Sequence, residues 1–329
     1  MATKNWELLE NRPVVPGTAR IVSFANQKGG VGKTTTSVNL AAALALRGHR
    51  VLVVDVDPQS NATTGLGIDH RSLEASTYHV MVDGVAPAEV IRPTAIKGLD
   101  CLPASPDLAG AEIELVEVAA RERRLAEALS GSLVGYDVVF LDCPPSLGLL
   151  TVNALAAAKD LIVPVQCEYY ALEGLGQLVE TAQRVQSGLN AELRIAGFVL
   201  TMYDARTRLS SQVADEVRAH FGDSVFGTVV PRSVRLSEAP SFGEPVLTLD
   251  PSSRGALSYR LLAGEYESRF GLATHAPPPP PSKLDATFEK PVVRTTAIPG
   301  PGGRGYGVTA PPPGDLEGAW PRGEPWSNR

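Results

Sequence analysis

Cysteine is scarce: three occur in 329 residues, Cys101, Cys143 and Cys167, far apart in the chain. They form no Cys-x-x-Cys pair, so the sequence offers neither a disulfide framework nor a structural zinc site, and this usage suits a reducing cytosol. Excess positive charge is missing as well. The formal net charge is −6, so any contact with nucleic acid has to come from a local patch. No apolar run approaches the ~20 residues of a bilayer-spanning helix. The opening Met1-Ala2-Thr3-Lys4-Asn5-Trp6-Glu7 lacks the apolar core of a secretory signal. These absences lead to the expectation of a soluble cytoplasmic protein. Hydrophobic residues nevertheless make up 43% of the chain, enough for a sizeable core.

What is present is concentrated in residues 20–36, Arg-Ile-Val-Ser-Phe-Ala-Asn-Gln-Lys-Gly-Gly-Val-Gly-Lys-Thr-Thr-Thr. Ile21 to Ala25 reads as a buried strand, followed by a glycine-rich turn and a helix opening at Lys33. That is the setting of a phosphate-binding loop. Glycines let successive backbone N–H groups converge on one anion, and a helix N-terminus adds partial positive charge. Lys33 can reach the β- and γ-phosphates, and Thr34 can offer its hydroxyl to Mg²⁺. The usual pattern places a first glycine five residues before Gly32. Gln27 stands there instead, and Lys28 follows it.

Downstream, Thr34 to Arg47 is rich in Ala and Leu and stops at Gly48. Arg50 to Val54 is an almost continuous β-branched run, as in a parallel strand covered on both faces, and it leads into Asp55-Val56-Asp57-Pro58-Gln59. Strand, helix and strand at this spacing form a βαβ unit, whose active groups gather at the carboxyl ends of strands. Tyr136 to Leu141 ends in Asp142, a Walker B pattern whose carboxylate would hold Mg²⁺ directly or through water. Further strands are expected at 98–103, 160–165, 194–201 and 225–230, with an edge strand at 246–249. Helices are expected at 172–187 and 254–270. The charges at 107–130, Arg121, Arg123 and Arg124 beside Glu117, Glu122 and Glu127, read as the compensated face of one solvated helix. Cys143 reads as a small packing residue.

The alternation predicts a single α/β P-loop NTPase domain over 20–271, with a mostly parallel twisted sheet and helices on both faces. A flexible arm (1–19) precedes it. A Pro/Gly-rich tail (272–329), with five prolines from Pro277 to Pro281 and three from Pro311 to Pro313, is expected to be disordered.

The string Lys28-Gly29-Gly30-Val31-Gly32-Lys33-Thr34 resembles the deviant P-loop of the ParA/MinD family. The resemblance sharpens to ParA/Soj-type chromosome-partition ATPases through Val53 to Thr63, Leu141 to Pro145, Pro164 to Gly174 and Val229 to Ala239. It covers roughly residues 20–270. It implies a slow Mg²⁺-dependent ATPase, with ATP and ADP as ligands, in which hydrolysis serves as a timer. The implied roles are these: Gly29, Gly30, Val31, Gly32 and Lys33 hold the phosphates, with Thr35 near the α-phosphate. Thr34 and Asp142 serve the metal, with Asp55 close enough to assist. Asp57 positions or polarises the attacking water, and Pro231 and Arg232 line the adenine. Lys28 crosses the interface of an ATP-dependent homodimer to the partner's nucleotide. Non-specific double-stranded DNA is expected on Arg206 and Arg235, with Arg208, Arg218 and Arg254 as further candidates, and a ParB-type centromere-binding protein is expected to stimulate hydrolysis. A nucleoid-associated cytoplasmic protein follows from that resemblance. A plasmid partition ATPase is the nearest alternative. A MinD-like membrane ATPase would need a basic amphipathic C-terminal helix, and an iron–sulfur carrier of the superfamily would need paired cysteines; neither is evident here.

Overall fold

Seven strands form one sheet in the order β3-β4-β2-β5-β1-β6-β7. They are β1 (Arg20–Phe24), β2 (Val51–Asp55), β3 (Arg92–Pro93), β4 (Leu99–Leu102), β5 (Val138–Asp142), β6 (Asp160–Gln166) and β7 (Arg194–Thr201). All pairings are parallel except that of the short edge strand β3 with β4. The computed structural model describes residues 19–169 and 175–272. The expected arm and tail lie outside the described residues, apart from Ala19 and Leu272.

Twelve α-helices accompany the sheet among the described residues: α1 (Lys33–Leu46), α2 (Asn61–Gly65), α3 (Thr77–Met81), α4 (Pro87–Val90), α5 (Leu108–Glu114), α6 (Arg124–Leu129), α7 (Leu149–Ala157), α8 (Leu175–Gly188), α9 (Arg208–Phe221), α10 (Val234–Glu238), α11 (Val246–Leu249) and α12 (Arg254–Phe270). Every residue of β2 and β5 is buried, which explains their near-continuous apolar sequences. Successive side chains alternate between two cores. Leu52, Val54, Val139 and Leu141 join a core with Leu108, Leu125, Leu150, Leu178 and Val213. Val51, Val53, Val138 and Phe140 join the other, with Leu40 and Leu44 of α1 and Tyr259, Leu262 and Tyr266 of α12. The β-ladder registers bring Phe24, Asp55 and Asp142 side by side at the carboxyl ends of β1, β2 and β5.

Three expectations are corrected. Residues 225–230 are not a strand: Val225 makes one bridge to Phe198, and the ladder breaks because the Gly227 and Thr228 amides donate to the Glu265 carboxylate, at 2.7 and 2.9 Å. Residues 246–249 form the short helix α11, started by the Pro245 carbonyl, which accepts from the Leu249 amide. The stretch 107–130 is broken rather than continuous. After α5 come 3₁₀ turns at Leu115–Glu117 and Arg121–Arg123, with Val118 extended and Ala120 at φ 54°, before α6 begins. The helices α3, α4 and α10, of four or five residues each, match no sequence expectation, and neither do two longer ones, α7 and α9. Of the longer two, the first has no polar face to give a period. The second is capped by Thr207, whose hydroxyl accepts from the Ser210 amide.

Candidate nucleotide site

The loop between β1 and α1 is fixed at both ends. Asn26 is buried, donates to the Pro164 carbonyl at the end of β6 (2.8 Å) and accepts from the Lys28 amide (3.0 Å). At the far end the Thr201 hydroxyl donates to the Val31 carbonyl (2.8 Å), tying the loop to the last residue of β7. Gly30 (φ 72°) and Gly32 (φ 89°) take left-handed conformations that other residues rarely adopt, and Gly32 caps α1. The first turn of α1 contains no acidic residue, so its amide dipoles are left uncompensated for an anion.

Lys33 is 6% exposed, and its ammonium donates to the Lys28 carbonyl at 3.4 Å. Burial holds its pKa below the usual lysine value, with Asp142 and Asp57 among the groups that work against that shift. Asp142 is fully buried. Its Oδ1 accepts from the Ser37 hydroxyl at 3.0 Å, and its Oδ2 is buried without a hydrogen-bond partner among the described residues. Burial, reinforced by the Asp55 carboxylate, pushes Asp142 up to about 8, against the pull of the Thr34 and Ser37 hydroxyls. A buried carboxylate oxygen left without a donor, beside a threonine hydroxyl, is a hard-oxygen donor set that fits Mg²⁺. No group of three or more His, Cys, Asp and Glu side chains converges among the described residues. A Mg²⁺ completed by phosphates and water needs no such cage.

Asp55 contrasts with Asp142. Its Oδ2 accepts from the Thr63 amide (2.9 Å) and hydroxyl (2.7 Å), and its Oδ1 accepts from the Asp57 amide (3.1 Å). Burial, with Asp57 adding to it, still raises it to about 6. With both oxygens engaged, Asp55 braces the loop that presents Asp57. Asp57 is 5% exposed and accepts from the Gln59 amide at 2.9 Å, and Ser60, at φ 53°, turns the chain into α2. Lys28 is half-buried, and its side chain has no hydrogen bond or ion pair among the described residues. Gly29 lies against Pro145, just beyond Asp142. Cys143 is fully buried and burial pushes its thiol up, so it is a packing residue.

Pro231 and Arg232 pair with Tyr203, two residues past Thr201: the Tyr203 amide donates to Val230 and the Arg232 amide to Tyr203, each at 3.0 Å. That places both residues beyond the carboxyl end of β7, the end that holds Val31. Arg206 is exposed and bonded to Asp204 at 2.9 and 2.7 Å, and that pairing holds Asp204 down to about 2. Arg235 is exposed and paired with Glu238 and Asp250. Leu236 packs on Gly255, so Arg235 and the exposed Arg254 flank one contact. Arg218 faces Asp215, while Arg208 opens α9. Sequence reasoning did not find Asn26, Ser37, Thr63 or Thr201. Ser37 had a signal, since it follows Thr34 by three residues and shares its helix face. Thr201 had none: only the sheet order brings β7 to the P-loop.

A family model described as "AAA domain" matches residues 19–195. The sporulation initiation inhibitor protein Soj of Bacillus subtilis is 56% identical over 246 residues, covering 75% of this chain and 97% of that protein. The chromosome partitioning protein ParA of Caulobacter vibrioides is 52% identical over 252 residues, covering 76% and 94%. A crystal structure from Mycobacterium smegmatis, named cobyrinic acid a,c-diamide synthase and holding ADP and magnesium, superposes with TM-score 0.69 at 39% identity, covering 80% of this chain and 100% of that one.

Proposed function

The chain belongs to the ParA/Soj family of chromosome-partitioning P-loop ATPases, and from that premise we propose that it segregates DNA by assembling on it as an ATP-dependent dimer and leaving on hydrolysis. Its reaction is ATP plus water to ADP and phosphate. The crystallised neighbour bears another enzyme's name, but the more identical relatives are partition proteins, and the proposal follows them.

The P-loop amides from Gly29 to Gly32, with Lys33, hold the phosphates, Thr35 lies toward the α-phosphate, and Pro231 and Arg232 line the adenine. Thr34 and the open oxygen of Asp142 would hold Mg²⁺, which would supply charge neutralisation for the phosphates. Asp57, braced by Asp55, orients the attacking water. Little covalent chemistry is left to the protein, which acts by positioning and by charge. Exposed arginine–carboxylate pairs contribute little to stability, so Arg206 and Arg235 can exchange their carboxylates for DNA phosphates. Such binding is non-specific and salt-dependent. A ParB-type protein is the expected accelerator of hydrolysis, and the nucleoid the expected location.

One observation carries this reading: Lys28 lies at the rim of a site whose other cation is buried, and its side chain finds no partner in its own chain among the described residues. A cation so placed suits a nucleotide bound by a second subunit. Lys28→Ala is expected to leave ATP binding in place and abolish the nucleotide-dependent dimer. Light scattering that still shows a dimer with ATP in this variant would refute the crossing lysine.

A further inference from the structure

The segment carrying Arg235 is joined to the phosphate-holding elements by two contacts that the reaction does not use. The first is Asn39 on α1, which is 3% exposed. Its Nδ2 donates to the Thr35 carbonyl and its Oδ1 accepts from the Val246 amide, both at 2.8 Å. A backbone carbonyl can only accept and an amide N–H can only donate, so these partners fix the orientation of the side-chain amide. Val246 opens α11, and its N–H has no partner within that helix. Asparagine is a poor interior helix residue, and buried polar groups are costly unless bonded, so the position is specified by the bridge. The second contact is a backbone crossing. Gly67 (φ 79°) follows the Asp57 loop and α2; Gly243 (φ 66°) follows the turn Ala239–Phe242. A Cβ on Gly67 would lie 3.0 Å from the Gly243 carbonyl oxygen, and one on Gly243 would lie 3.1 Å from the Gly67 Cα. Neither glycine can take a side chain without displacing the other strand of backbone.

Gly243 and Val246 are three residues apart, with Pro245 between them restricting the chain. Upstream in the same segment, Leu236 is seated on Gly255. We propose that residues 233–249 form a lever that reads the nucleotide state, with Asn39 as the positioning residue on the P-loop side and the Gly67–Gly243 crossing on the Asp57 side. Thr35, whose other face belongs to the nucleotide, moves the lever through Asn39. The lever shifts α10, and with it Arg235, as the site fills. The movement rests on the nucleotide site proposed above, through Thr35, and its relevance to DNA rests on the DNA function proposed with it.

The test is hydrogen–deuterium exchange on the full chain, without nucleotide and with Mg²⁺ and a slowly hydrolysed ATP analogue. In the wild type the analogue slows exchange across 239–249 by about tenfold. In Asn39→Ala this nucleotide-dependent ratio collapses towards one, while protection of 29–36 persists. Asn39→Leu, which fills the space but makes neither bond, gives the same collapse and serves if the alanine variant does not fold. If Asn39 only staples α11, its loss speeds exchange equally in both states and leaves the ratio at the wild-type value. That outcome, or a wild type with no nucleotide-dependent change at 239–249, overturns the lever. A wild type that shows the ratio but does not bind duplex DNA would refute the DNA reading and leave the lever standing.

Discussion

Asp142 and Asp55 end neighbouring strands in register, yet their surroundings set them apart. Asp55 is saturated by Thr63 and Asp57, whereas Asp142 keeps one buried oxygen without a partner among the described residues. Both carboxyls hold protons more tightly than an unfolded chain does, at about 6 and about 8 against an ordinary value near 4. Raised folded-state values give a definite sign. The stability these groups contribute is full below the unfolded value and is lost as pH rises through the folded values. Asp142→Asn removes the larger loss. Without nucleotide, the variant is expected to gain on the wild type in thermal unfolding as pH rises from about 5 to about 9, by on the order of 4 kcal/mol. A difference that stays flat with pH would contradict this assignment. Asp57→Ala is the companion test at this scale. It is expected to bind ATP with wild-type affinity and to lose hydrolysis by about 100-fold or more, measured by phosphate release; unchanged turnover would remove Asp57 from the water.

At the scale of elements, the P-loop helix is clamped along its length by α12. Thr36 and Tyr259 share a hydrogen bond near its start. At its end Glu267 accepts from Arg47 Nε (2.8 Å) and Nη2 (2.6 Å) and lies 2.9 Å from His49 Nε2, with all three residues buried. Glu267→Ala would leave Arg47 buried without its carboxylate, at a cost of about 3–5 kcal/mol, readable as a large drop in denaturation midpoint. This clamp shows where sequence reading ended. The helix α1 was legible from its Ala/Leu richness, α12 was expected at 254–270, and strands β1, β2 and β5 were legible from buried apolar runs. Glu267 looked like any acidic residue on a helix, because only the crossing of α12 over α1 brings it to Arg47. Residues 225–230 kept a strand's composition while Glu265, distant in sequence, took the amides its ladder needed. Residues 246–249 had strand composition as well, and the buried Asn39 side chain supports a helical turn there instead. At the site, the motif residues Lys28 to Thr35, Asp55, Asp57 and Asp142 were legible because each falls within one loop or strand end. Asn26, Thr63 and Thr201 were not, because their partners lie on other elements.

For the molecule as a whole, a net charge of −6 and a function on DNA are compatible only if the contact is local and controlled. The proposed function would meet both conditions by placing arginines on a nucleotide-dependent assembly. Arg206, Arg235 and Arg254 are exposed, and Arg206 and Arg235 are held in weak pairs with carboxylates of their own chain. In the proposed dimer the patch would double without changing the sign of the total. Among the described residues, no helix is long and apolar enough to cross a membrane. Binding to random duplex DNA, measured with ATP and with ADP over a range of salt in the presence and absence of anionic lipid vesicles, tests the central claim directly. The expected result is duplex binding with ATP only, undisturbed by vesicles, and a salt slope that falls by about 1 in Arg235→Ala. Affinity for duplex that does not change with nucleotide, or ATP-dependent capture by vesicles in place of DNA, would contradict it.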